Sequence, residues 1–251
     1  MAAEKSLAIV LRLVEFSETS LVVTLFTREF GKIGALAKGA RRPKSAFEGA
    51  LDLLSLCRVV FLHKSSDALD LLTEAKLQRR FRAASRDLTR LYAGYYVAEL
   101  LDELTHLGDP HPDLFDAAEQ ALAELDGEGD VAAVLLRLEM TALRILGHLP
   151  SLSTCVGCDS PVELEGRVAF GMLEGGVLCP ACRPGKRQVV SVSGRVVKTL
   201  QQFADATSDA WRSAPLPAGV WGELRGVLNH YLANLLGKKP KLHDFLGSLA
   251  K

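Results

Sequence analysis

Two stretches of the chain carry residue types spaced for chemistry. The first is a pair of dithiols, "CVGC" at Cys155 and Cys158 and "CPAC" at Cys179 and Cys182, with 20 residues between them. That spacing is expected of a four-cysteine zinc ribbon. Each CxxC turn aims two thiolates at one ion, and the intervening "EGRVAFGMLEGGVL" is predicted to be the hairpin that brings the turns together. Four soft anionic ligands complete a tetrahedron and leave no position for water or substrate, so one such Zn2+ per chain would be structural and not catalytic. Two rival readings stay open: a pair of redox dithiols, for which a thioredoxin-like βαβ context is missing, and a ribbon without metal. Cys57 lies in an apolar run and reads as core.

The second stretch is "AKGARRPKSAF", residues 37–47, with Lys38, Arg41, Arg42 and Lys44 packed around a glycine and a proline, and with Arg28 and Lys32 in the turn before it. A further basic segment, "KLQRRFRAASR", carries Lys76, Arg79, Arg80, Arg82 and Arg86 with Phe81 interleaved. Guanidinium and ammonium groups on loops neutralise phosphates without reading sequence, and exposed aromatics add about 1–3 kcal/mol per stacked base. Taken singly, either cluster reads more readily as a solvated face. Phe26, Phe30 and Phe47 read as core and not as stacking platforms.

Signatures of catalysis are missing. "GKIGALAKG" has glycines and lysines but not GxxxxGK[ST], and neither HExxH, GxSxG nor a helix-opening GxGxxG occurs. His106 and His111 flank "LGDP" and read as solvated loop histidines, while Asp102 and Glu103, at consecutive helical positions, point apart. The expectation is a protein that is not an enzyme.

Composition bounds the setting. The chain has 251 residues, is 48% hydrophobic, and balances 30 Lys and Arg against 30 Asp and Glu. The balance is segregated: residues 1–90 carry 16 cations against 10 anions, residues 91–150 carry 2 against 12, and residues 151–251 carry 12 against 8. A basic end suits phosphate, and the acidic middle reads as a solvated helical surface or a protein contact. No apolar run approaches the roughly 20 residues of a membrane span, "MAAEKSLAIV" lacks a cleavage signal, and five cysteines make an odd set for disulfides. A cytoplasmic protein away from the membrane is expected.

The elements that must position these groups fall into two kinds. Period-two patterning predicts strands at Ala8 to Val14, Leu21 to Thr27, Ile33 to Ala37, Leu53 to Phe61 and Leu69 to Ala75, and five short strands in so little chain suggest a small closed barrel. An oligonucleotide-binding (OB) barrel is one candidate among several. Helical periodicity follows over Arg86 to Leu107, Leu114 to Leu125, Val131 to Leu146 with Asp130 as N-cap, Ser193 to Phe203 with Ser193 as cap, and Val220 to Leu236. The fold class is multidomain α+β: a barrel over 1–80, then a helical domain over 81–251 into which the ribbon, 151–187, is inserted.

"TLFTREFGKIGALAKGARRPKSAFEGAL", residues 24–51, resembles the N-terminal segment of the RecO family of bacterial recombination mediators, with its "TREFGK" turn followed by "KGARR-x-KS-x-F". The order of parts agrees, including the late four-cysteine element. The resemblance implies an N-terminal OB-fold, a helical domain, and work in DNA repair and recombination by the RecF pathway. That work is binding of single- and double-stranded DNA, annealing of complementary strands, and, with RecR, loading of RecA onto DNA coated by single-strand-binding protein, whose C-terminal tail docks on the helical region. Lys38, Arg41, Arg42 and Lys44 are the DNA-binding positions that carry over from the motif; Arg79, Arg80 and Arg82 are added on charge alone. The competing expectation is a zinc-ribbon interaction scaffold or transcription factor whose basic loop is incidental.

Overall fold

Alternation in the first eighty residues becomes five strands: β1 (Ala3–Glu15), β2 (Leu21–Thr27), β3 (Gly31–Ala37), β4 (Leu56–Leu62) and β5 (Asp70–Arg79). The computed structural model describes residues 3–47, 49–63, 68–83 and 87–249. They form two compact units, 1–129 and 130–251. The boundary expected near residue 80 follows the end of β5, whereas the first compact unit also holds the next two helices, α1 (Leu88–Leu104) and α2 (Pro112–Asp126).

The five strands close in the order β1-β2-β3-β5-β4, antiparallel throughout except for the parallel β3–β5 pair. Closure depends on β1, whose 13 residues serve two neighbours: Ala3 to Ile9 pair with β4 and Ala8 to Glu15 with β2. An irregularity between Val10 and Arg12 bends the strand between them. Inside lie Ala8, Val10, Val23, Leu25, Ile33, Ala35, Val59, Phe61 and Leu72. The thiol of Cys57 is also buried there and donates to the Ala50 carbonyl, and burial pushes its pKa up to about 11.

The two helices of this unit pack on the barrel by shape and by charge. At Gly94 of α1 an added Cβ would lie 2.6 Å from Leu54 Cδ1 and 2.9 Å from Phe81 Cε1, so a larger residue would push the helix off. Phe115 of α2 sits 6.0 Å, ring to ring, from Phe26. The turn between β2 and β3 turns on Gly31, at φ +66°, where a Cβ would meet the Asp109 carbonyl oxygen at 2.1 Å; "TREFGK" needs its glycine for both reasons. Acidic helix then meets basic barrel. Arg28 makes a bidentate pair with Asp116 at 2.8 Å on both arms, Lys32 binds Asp102 at 3.1 Å, and Arg79 donates to the Glu119 carbonyl at 2.9 Å. Part of the acidic block therefore covers the barrel's own cations.

The second unit contains α3 (Val131–Ile145), a three-stranded sheet of β6 (Arg167–Gly171), β7 (Gly176–Leu178) and β8 (Val189–Ser193) in the order β7-β6-β8, then α4 (Gly194–Ala204), α5 (Ala218–Leu236) and α6 (His243–Gly247). The expected caps form: Asp130 accepts from Ala133 N at 2.8 Å and Ser193 from Arg195 N at 3.2 Å. β8 and α6 had no expectation in the sequence. In the sheet and its flanking loop, Leu152, Val168, Phe170 and Val177 share one core with Leu136, Met140, Val196, Leu200, Trp221 and Leu224 from the helices.

Within that core Glu139 of α3 and Arg225 of α5 form a bidentate pair at 2.5 and 2.9 Å, with both side chains almost wholly excluded from solvent. The guanidinium also donates to Asn229 Oδ1 and lies 5.5 Å from the Trp221 ring. His243 is buried beside them, and its Nε2 has no hydrogen-bond partner among the described residues. Burial, then the Arg225 cation, holds its pKa down at about 4, with Lys239 adding to this while Glu139 and Asp244 oppose it. The unfolded chain therefore binds a proton that the folded one refuses, so stability is full above pH ~6.5 and falls as the pH drops from there toward 4. Urea titrations at pH 7 and pH 5 should give a smaller pH-dependent loss for His243→Phe than for the parent; equal losses would exclude His243 as the titrating group.

No helix among the described residues is long and apolar enough to cross a membrane.

Candidate metal centre and nucleic-acid interface

The four predicted ligands converge. The Sγ atoms of Cys155, Cys158, Cys179 and Cys182 all lie within 4.8 Å of one another. Backbone pairing brings this about: Val177 N donates to Ser151 O at 2.9 Å and Val156 N to Val177 O at 3.1 Å, which zips the first knuckle onto β7 and sets Cys155 beside Cys179. Gly176 permits the approach, since a Cβ there would lie 2.4 Å from the Ser151 carbonyl oxygen. β6 and β7 are the expected hairpin.

The donor set suits a metal ion. A tetrahedral thiolate site with bonds of about 2.3 Å places its sulfurs about 3.8 Å apart, and Cys158 and Cys179 are separated by 3.8 Å. Cys155 Sγ, buried, accepts from Cys179 N at 3.3 Å and Gly157 N at 3.4 Å, and these donors draw its pKa down to about 6. Neighbouring sulfurs push Cys182 the other way, to about 12. A set of crowded thiols that disagree over protons is one that a cation would reconcile. Four thiols in this cluster could supply every position of a tetrahedral metal ion.

The basic residues divide into two groups. Lys38, Arg42 and Lys44 are exposed, line a cleft of about 410 Å³ together with Phe47, Leu71 and Thr73, and have no ion-pair partner among the described residues. Loop geometry holds them there. Arg42 N donates to Gly39 O at 3.0 Å, Ser45 Oγ to Ala40 O at 3.1 Å, and Lys44 takes a left-handed backbone at φ +58°. Arg41 does not line the cleft and pairs with Glu15 at 3.1 Å.

The second basic segment is more committed. Lys76 and Arg79 lie on β5 itself; Arg79 holds α2, Arg80 donates to the Gly49 carbonyl at 2.8 Å, and Arg82 is exposed. Arg86 lies outside the described residues. Phe81 packs toward α1 at Gly94, and Phe26 and Phe47 are core as expected, with Phe30 edge-on to Phe61 at 5.3 Å. Among the sequence's other candidates, the Asp102 carboxylate is taken by Lys32, His111 pairs with Asp109 at 3.1 Å, and His106 is exposed. The sequence had no signal for which cations would be neutralised, because their partners Asp116 and Glu119 are 88 and 40 residues away.

A closed five-stranded unit with a cationic cleft, followed by helices that share a core with the sheet carrying a four-thiol cluster, defines a class of two-unit proteins with a four-cysteine ribbon. Its members are identified by their sequences. The family model described as "Recombination protein O N terminal" matches residues 1–81, and "Recombination protein O C terminal" matches residues 85–243. The chain belongs to the RecO family. It is 44% identical to the DNA repair protein RecO of Rhodopirellula baltica, with 96% of this chain and 97% of that one covered. It is 35% identical to the RecO of Anaeromyxobacter dehalogenans strain 2CP-C (98% and 96%) and 32% identical to that of Myxococcus xanthus (96% of each). It is accordingly a RecO-family DNA repair protein.

Proposed function

We propose that this chain is a recombination mediator that acts without catalysis in the cytoplasm, at the nucleoid. Its barrel, read as an OB-fold, binds single- and double-stranded DNA and anneals complementary strands; with RecR it helps to load RecA onto DNA coated by single-strand-binding protein, whose C-terminal tail it engages. The thiol cluster holds Zn2+, which supplies folding energy and no reactive position. One observation supports the DNA reading: Lys38, Arg42 and Lys44 gather around one cleft with no ion-pair partner among the described residues, while other barrel cations are neutralised by α1 and α2. Of the remaining candidates, Arg41, Arg80 and Arg82 flank the DNA path, and Arg79 supports it by fixing β5 to α2.

The test is annealing of two complementary dye-labelled oligonucleotides without nucleotide cofactor, at two salt concentrations, for the parent and for Lys38→Gln/Arg42→Gln. Each lost phosphate contact should lower the slope of log affinity against log salt by about 0.7 on single strands. The double variant should thus anneal poorly and show a slope reduced by about 1.4, with unchanged thermal unfolding. Unaltered annealing and slope would move the DNA site elsewhere, and binding that ignores salt would exclude an electrostatic mediator.

A further inference from the structure

Phe16, just past the end of β1, is 63% exposed, which is unusual for a phenylalanine in a chain whose Phe26, Phe61, Phe115, Phe170 and Phe203 are buried. Its position is fixed. Phe16 N donates to Ser20 O at 3.0 Å and closes the β1–β2 turn, Arg41 N donates to Thr19 O at 3.0 Å, and Gly39 N to Ser20 Oγ at 3.3 Å. The turn that presents Phe16 is therefore bonded to the basic loop.

Strand register connects the ring to the cleft. On β1, the exposed Arg12 and Val14 (42% exposed) lie two residues apart on one side of the strand, and Phe16 follows two positions after Val14, just beyond the strand's end. Val14 pairs with Val22, Val22 with Leu36, and Leu36 with Leu71, which lines the cationic cleft. These four cross-strand neighbours make a partly exposed apolar row over the outer face, roughly 15 Å long at the usual strand spacing. An aromatic stands near one end, and at the other are three cations with no ion-pair partner among the described residues.

We propose that Phe16 is a base-stacking platform that makes this barrel face prefer unpaired nucleic acid: one unstacked base lies on the ring while neighbouring phosphates reach Lys38, Arg42 and Lys44. The inference rests on the DNA-binding reading above and extends it to strand selection. A duplex hides the faces of its bases inside its own stack and offers the cations only phosphate; a single strand offers both. The cationic flank favours a polyanion over an apolar protein segment as the occupant.

The test measures binding of a dye-labelled oligothymidylate, and of a duplex of equal length, to the full chain. Phe16→Ala should weaken single-strand binding about tenfold, leave duplex binding within about twofold, and leave the salt slope unchanged because no phosphate contact is lost. Phe16→Trp should restore affinity. The native Trp211 and Trp221 are both buried, so the new indole dominates the quenching signal, which should appear with oligothymidylate and not with duplex. If Phe16→Ala binds both ligands as the parent does, or loses both equally, the stacking role is overturned while the electrostatic interface stands. If the parent itself binds neither ligand, both readings fall.

Discussion

Cys155→Ser should abolish the proposed Zn2+ binding and lower the melting temperature of the second unit by well over ten degrees. Structural four-ligand zinc sites contribute about 10–16 kcal/mol in small domains, against a total stability of about 5–15 kcal/mol for a typical one. Cys155 is the most sensitive ligand, since it is buried and its sulfur already takes N–H donors from both knuckles. Its loss would not stay local, because the ribbon residues Leu152, Phe170 and Val177 lie in the same core as Leu200, Trp221 and Leu224. Both tryptophans belong to that unit, so their emission reports on it alone. A red-shifted spectrum together with loss of zinc by elemental analysis is the expected result. The barrel, which belongs to the other compact unit, should keep its strand signal in circular dichroism. A metal-free variant melting like the parent would show that the cysteines contribute little to the fold.

Arg225→Met should cost about 3–5 kcal/mol, because it leaves the Glu139 carboxylate buried without its partner. The double change Glu139→Leu/Arg225→Met should recover most of that loss, since an apolar pair of similar volume escapes the desolvation penalty. Urea unfolding followed by tryptophan emission gives both figures, and the cycle gives the coupling between the two residues. Additive losses would mean that the pair observed at 2.5 and 2.9 Å contributes nothing as a pair. Because neither residue lies on the barrel, DNA binding per folded molecule should be unaffected.

What the sequence determined by itself is local. The β2 strand was legible at both ends, Leu21 and Thr27, because alternation and turn signals both act within a few residues. The caps at Asp130 and Ser193 were legible because a cap bonds an amide two or three positions away. The four cysteines were legible because two tight knuckles and one hairpin carry most of the geometry. RecO membership follows from the same locality, since its motif spans one turn, one strand and one loop. The strand β8 and the five-residue α6 were not, because neither has enough residues for a period to show.

Tertiary structure alone decided which charges were available. Arg28 and Arg42 look alike in sequence, yet one is held by Asp116 while the other faces an open cleft. It also placed Glu139 against Arg225 across 86 residues, and tucked Phe81 beside a helix while leaving Phe16 bare. Coulomb and contact energies depend on distance in space, and only chain closure and helix packing set that distance for residues far apart in sequence. Composition could therefore locate a basic loop, but only the folded barrel separated the cations that hold the protein together from those with no ion-pair partner among the described residues.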